Sequence, residues 1–554
     1  MCIRFCRFIW ILGVLALGNS GQIYAQPLPD AGALRQQIER EQQSPVPPLQ
    51  GGTLQPTEAP PARRSSDSKL TVREFRFIGS ALLKQEQLLP LVEPYLGRPI
   101  DFGELEEAAR NVAAAYREAG WVARVDVPRQ DVTDGVVDLQ VVVANYGGTR
   151  VEEGESPVTR ITPQRVLSYF EREQPIGAPV NTDALDRSLL LANDLPGVVV
   201  TGALAPGQRD GETELLLQLG DEPLFGGEAT LNNGGSRSTG DWRAQVWAAL
   251  ASPFGLGDSL RADLQHSRGS DYYRLAWSAP VGSAGWRVAV HTAGLRYRIV
   301  TPEFKGLDAH GRFSAFGIET TYPLWRARQS NLFLTFAYEH SRFRNYANSG
   351  LQSSYNVDNL SAILNGNAYD HWGVSRYMAA WSEGRVEPHA SAEAAINTDK
   401  ARFGKLRYSL ARQQQLASSV SVSVSLSGQH TNQNLDSSER FYLGGPNGVR
   451  AYPVNEGSGS RGQLAQLELQ WRFLPEWSLG GFYDWGRVSQ VVPVPSQTLK
   501  GYGLTLAWNS RLGPDIRLTL ARRHGNNSHP NAVGNDQDGS FKRNRLWLTA
   551  TLPF

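Results

Sequence analysis

From residue 221 to residue 554 the chain reads as short runs of period-two alternation, separated by clusters of Gly, Asn, Asp, Ser and Pro. The clearest run is SVSVSVSLS, Ser419 to Ser427, in which Val420, Val422, Val424 and Leu426 face one way and the serines the other. Successive side chains of a strand point to opposite faces, so this segment has one face for hydrocarbon and one for water. The alternation recurs in Trp242 to Leu250, in Leu332 to Tyr338 and in the last strand, where Leu546, Leu548, Ala550, Leu552 and Phe554 share a face. A soluble β-sandwich needs charged side chains on its exposed faces, whereas here small and polar residues stand opposite apolar ones. Aromatics gather near strand ends, in Tyr322 to Arg326 and Trp471 to Trp477, as in the girdles of a membrane barrel. At roughly 21 residues per strand and connection, the segment accommodates about 16 antiparallel strands, an even number as bacterial barrels require.

The N-terminus reads as a secretory signal peptide over residues 1–25. Arg4 and Arg7 precede an apolar run from Phe8 to Leu17, and small and polar residues end at Ala25. The run is shorter than the roughly 20 residues that span a bilayer. Both cysteines, Cys2 and Cys6, lie inside the signal-peptide segment 1–25. The expected mature chain therefore has no disulfide, thiolate metal site or cysteine nucleophile. A formal charge of +1 over 554 residues argues against a nucleic-acid partner.

Residues 26–43 contain a helix capped by Asp30, with Leu34 and Ile38 as its strong apolar pair. So polar a helix is either exposed or housed in a polar cavity. Residues 44–69 form a proline-rich linker. Residues 70–147 follow with a strand, a helix near Lys84 to Leu96, a second helix from Asp101 with Glu104 at capping-box spacing, and two closing strands. Residues 148–220 repeat this β-α-α-β-β order, with helices near Pro163 to Glu171 and Asn181 to Asn193.

Within the barrel segment, the alternation places Ala465, Leu467, Leu469 and Trp471 toward lipid and Gln466, Glu468 and Gln470 inward. In the next strand Trp477, Leu479, Tyr483 and Trp485 face lipid, and Phe482, Asp484 and Gly486 face the lumen. The preceding connection carries GGPNGVRAYP, Gly444 to Pro453. If it folds back into the barrel, Arg450 can form a charge-assisted pair with Asp484. An exposed loop arginine and an ordinary lumen aspartate are the alternative.

GGPNGVRAYP resembles the tip of the sixth extracellular loop in the two-partner secretion transporters (TpsB) and the related outer-membrane assembly proteins. FYDWG, Phe482 to Gly486, resembles the F-x-D-x-G wall motif that receives it. The tandem units resemble polypeptide-transport-associated (POTRA) domains, and Asn193 to Gly220 is similar to the second of these in TpsB proteins. The family's loop usually reads Val-Arg-Gly-Tyr. Here the motif is Val449, Arg450, Ala451 and Tyr452, and alanine would strain the tip if that position needs positive φ.

The resemblance implies an all-β transmembrane barrel behind two α+β POTRA domains and a plug-like helix, in the outer membrane of a Gram-negative bacterium with its N-terminal domains in the periplasm. It implies a monomer, in contact with outer-membrane lipid, that secretes a large exoprotein of adhesin or haemolysin type. Unfolded cargo would add to a POTRA sheet edge. The candidates are the strands Trp121 to Val127 and Val198 to Ala203, with Trp121, Val125, Val198 and Val200 as apolar contacts and packing as their ordinary role. An assembly factor for other barrel proteins shares the loop motif and is the alternative. No cofactor, metal site or catalytic residue is expected: the histidines, His266 to His529, show no HExxH, and Gly404-Lys405 is followed by Leu406, outside the phosphate-loop pattern.

Overall fold

A computed structural model of the chain describes residues 30–42, 54–55, 69–79, 82–152, 160–209, 211–348, 350–391, 402–491, 494–510, 513–531 and 533–554. The signal-peptide segment 1–25, with Cys2 and Cys6, lies outside the described residues, as does the linker 44–69 apart from Leu54, Gln55 and Lys69.

Alternation along the C-terminal segment resolves into a closed barrel of sixteen strands, each paired with its neighbours in the sequence. It is closed by antiparallel pairing of the first strand, Phe225–Asn232, with the last, Asn544–Pro553. Closure leaves no strand edge to present unpaired backbone groups to hydrocarbon. Register sorts the two faces as the alternation does. Glu468 pairs with Phe482 and Gln466 with Asp484 on the inner wall, while Leu467, Leu469, Trp471 and Leu479 are exposed on the outer one.

In the first N-terminal unit Glu74–Ile78 lies parallel to Val136–Val143, which pairs antiparallel with Ala123–Asp126. Two helices, Gln85–Val92 and Phe102–Glu118, cover this sheet, burying Phe75, Leu88, Val112, Tyr116 and Leu139. Asp101 caps the second of them, accepting from the Glu104 amide at 2.8 Å while the Glu104 carboxylate accepts from the Asp101 amide at 3.0 Å. The second unit pairs Asn145–Val151 parallel to Glu212–Asp221, and the latter antiparallel to Val198–Pro206. It is covered by the helices Pro163–Glu173 and Thr182–Asn193. Asn145 to Gly147, assigned to the first unit from sequence, thus begin a strand of the second sheet.

Ion pairs seat the second unit on the barrel turns. Arg326 holds Asp194 through two bonds of 2.9 and 2.8 Å, and Arg328 holds Asp186 at 2.9 and 2.6 Å. Arg287 also donates to the Asp194 carbonyl at 3.4 Å. This places a cation at the C-terminus of Thr182–Asn193, where the helix dipole favours one.

The N-terminal helix α1 (Ala31–Gln42) lies inside the barrel. Leu34 and Ile38 are buried against the inward side chains Leu295, Phe313, Phe343 and Tyr355. Its cavity is the polar kind: Arg35 pairs with Glu339 of the wall at 2.8 Å, and Gln36 accepts from Arg407 at 2.9 Å.

Candidate functional site: the lumen loop and its wall

The connection 432–460 turns back into the barrel and folds on itself. Leu443 and Gly444 donate backbone N–H groups to the carbonyls of Gly457 and Glu456 at 2.9 and 2.8 Å, and Val449 donates to Leu443 at 2.8 Å. Gly445, at φ +106°, makes the bend that starts the tip.

Asp484, fully buried, takes three bonds from Arg450: from Nε at 2.9 Å, from Nη2 at 2.8 Å and from the backbone N–H at 3.0 Å. The remaining guanidinium nitrogen donates to Glu468 at 2.5 Å. The guanidinium lies 3.4 Å from the centre of the Phe482 ring, a cation–π contact. A Cβ at Gly486 would stand 2.5 Å from Leu443 and 3.3 Å from Val449. In F-x-D-x-G, therefore, Phe482 is the platform, Asp484 the anchor, and Gly486 leaves the space the loop needs.

Ala451 and Tyr452 are also fully buried. Ala451 has negative φ, so the strain expected from alanine there does not arise. Its methyl is accommodated by Gly501, where an added Cβ would lie 2.6 Å from it. Tyr452 carries the Arg523 guanidinium 4.5 Å over its ring.

Residues that sequence reasoning did not single out complete the seat. Trp547 donates its indole N–H to the Arg450 carbonyl at 2.7 Å, and Gln466 donates to the Gly448 carbonyl at 2.9 Å. Glu456 accepts from the Gln537 amide at 2.8 Å and from Asn527 at 2.6 Å, joining this loop to the connection between the last two strands. Burial pushes the Glu456 carboxyl up to about 7. Of these, Gln466 was legible in sequence as an inward residue of its strand and Trp547 as an aromatic on the polar parity of the last strand.

Helix and loop brace each other. Arg40 donates to the Gly444 carbonyl at 2.9 Å, and Ser437 donates to Asp30 at 2.6 Å. Glu439, buried in the loop and paired with Lys405, lies 3.7 Å from Arg35. Beside the tip remains a polar cavity of about 320 Å³, lined among others by Arg376, Gln413, Ser425 and Glu468.

The four proposed cargo contacts are differently placed. Val198 and Val200 are fully buried in the second unit's core, which corrects their reading as contacts. The outward side chains of that strand are Val199 and Thr201. Its outer edge is paired in part, because Leu54 and Gln55 run parallel to Gly202 and Ala203. Trp121 bridges to Asn181 between the two units, while Val125 lies on the first sheet's edge strand, Ala123–Asp126, half-buried against the core.

A sixteen-stranded barrel with POTRA-type domains and a locked inner loop defines a polypeptide-handling protein of the outer membrane, its N-terminal units in the periplasm. Residues 211–507 match the family described as haemolysin secretion/activation protein ShlB/FhaC/HecB, and residues 70–143 match the ShlB-type POTRA domain. The chain belongs to this family, the two-partner secretion transporters. It is 24% identical to the heme/hemopexin transporter protein HuxB of Haemophilus influenzae, over 87% of each chain. It is also 24% identical to the hemolysin transporter protein ShlB of Serratia marcescens, over 83% of this chain and 85% of that one. The solved structure of CdiB from Escherichia coli shares the fold, with a TM-score of 0.71 and 19% identity, covering 96% of this chain and all of that one (100%).

Proposed function

We propose that this protein secretes a large exoprotein of adhesin or haemolysin type across the outer membrane, acting as a monomer surrounded by lipid and without catalysis. The observation that carries the reading is the coupled seat in the lumen: α1 occupies the passage and contacts the loop through Arg40 and its N-cap Asp30, while Arg450 ties that loop to Asp484. Emptying the passage requires leaving these contacts. Unfolded cargo would enter from the POTRA side by strand addition. The outward positions Val199 and Thr201 then face it.

Photo-crosslinking from position 199 in the native host, with mass spectrometry of the trapped protein, tests this. A single large exported protein is expected. A mixture of outer-membrane barrel proteins would instead make the chain an assembly factor.

A further inference from the structure

The outer wall of the barrel carries a basic patch unconnected with the loop. Arg296 and Arg298 close the strand Trp286–Arg298, Arg312 opens the strand His310–Arg326, and Arg342 and Arg344 lie near the end of Ser330–Ala347. All five are exposed. They alternate with Leu295, Tyr297, Phe313 and Phe343, which face the lumen around α1, so the arginines point outward.

Register sets three of them in a row across three strands: Arg296 stands directly opposite Arg312, and Arg312 directly opposite Arg344. Like charges directly opposite in a ladder repel. Among the described residues none of the five is in an ion pair; Arg342 donates to Asn356 at 3.3 Å. The nearest cross-strand carboxylate, Asp271 opposite Arg296, is engaged by His266 at 2.6 Å, and Asp358 by His340 at 2.8 Å. A run of mutually repelling guanidiniums breaks a local rule of strand pairing, and such breaks mark functional positions.

The patch has a definite height. Phe316, Ile318, Phe336 and Tyr338 are exposed on the same outer face, on the side toward the docked second unit. Arg326 and Arg328, which hold the second N-terminal unit, mark the periplasmic end of these strands. The arginines thus stand just beyond the apolar band at the opposite, extracellular end, at the level of the outer leaflet's headgroups. Guanidinium forks match phosphate oxygens bidentately, and basic clusters at headgroup depth bind phosphorylated lipids.

We propose that this patch binds the phosphate groups of the outer-leaflet glycolipid, holding a phosphorylated glucosamine headgroup whose acyl chains lie along Phe316, Ile318, Phe336 and Tyr338. Such a site would fix the azimuth of the barrel in the leaflet whichever protein it exports.

Native mass spectrometry of the full chain in non-ionic detergent tests it, with bisphosphorylated lipid A, monophosphorylated lipid A and inorganic phosphate as probes. The wild type is expected to retain the bisphosphorylated lipid, and R312Q/R344Q to lose about tenfold in affinity, with R312K/R344K between them because charge remains without the fork. Equal retention by wild type and R312Q/R344Q would overturn the site. Displacement of the lipid by equimolar inorganic phosphate would overturn the glycolipid as its ligand. Heat-modifiable migration checks that each barrel is folded. Should the double variant fail that check, Arg344→Gln alone carries the test, with a loss of about threefold expected and unchanged retention overturning the proposal.

Discussion

Arg450 and Asp484, 34 positions apart in sequence, meet through three hydrogen bonds in the barrel lumen, where the aspartate is closed to solvent. Removing Arg450 leaves Asp484 buried and uncompensated, at a cost of about 3–5 kcal/mol, whereas removing Asp484 leaves Arg450 its Glu468 partner. Asp484→Ala and Arg450→Ala are each expected to reduce secretion while the barrel still inserts. Secretion at wild-type level in both variants, measured by immunoblotting of culture supernatant, would remove the pair's role.

Gly501 makes room for Ala451. Gly501→Ala brings two methyl carbons to 2.6 Å, an overpacking of about 1–3 kcal/mol, and the loop is expected to become accessible to external protease. Adding Ala451→Gly should restore protection. A double variant no better protected than Gly501→Ala would show that the loop is displaced for another reason.

Glu456 makes the loop seat sensitive to pH. Its carboxyl is raised from 4.5 to about 7, so the seated state holds the proton more tightly than the unfolded one. Its contribution is complete below pH 4.5 and is lost as the pH rises through 7, amounting to about 3 kcal/mol. Protease access to the loop should increase between pH 5 and pH 8, and Glu456→Gln should flatten that dependence.

Arg35 stands among Glu39, Glu339 and Glu439 at 2.6, 2.8 and 3.7 Å. Arg35→Ala leaves carboxylates in the lumen facing one another and is expected to expel α1. Single-channel recording should show larger or more frequent openings than in the wild type. An unchanged, quiet trace would mean that the apolar contacts of Leu34 and Ile38 suffice.

Asp186 and Asp194 hold the second POTRA unit to the barrel turns through Arg328 and Arg326. Charge-assisted hydrogen bonds of this kind contribute about 1.5–3 kcal/mol each. Spin labels on that unit and the barrel should give a broader distance distribution in D186A/D194A than in the wild type.

Much of this architecture is local and therefore legible. Period-two alternation in Val420 to Leu426 assigns lipid and lumen faces without a structure, because a strand's side chains alternate whatever lies beyond them. Asp101 and Glu104 mark the start of the helix Phe102–Glu118 through the same bonds they make when folded. Asp484 was legible as a lumen carboxylate and Arg450 as its mate, since parity and the loop resemblance both pointed there.

The long-range contacts were decided only by the tertiary structure. Trp547 reaches the Arg450 carbonyl from 97 residues away, and Arg40 reaches Gly444 from 404. Barrel closure and the return of the loop create these pairs, and no periodicity encodes them. Val198 and Val200 were candidate contacts in sequence with packing as their ordinary role; which face of a small sheet its helices cover is settled by packing. The row Arg296, Arg312 and Arg344 exists only in register, because three arginines on three separate strands become neighbours when the ladder aligns them. What the sequence determined by itself was the repeat of each element and the face each residue takes; distances between elements came from the closed sheet that holds them.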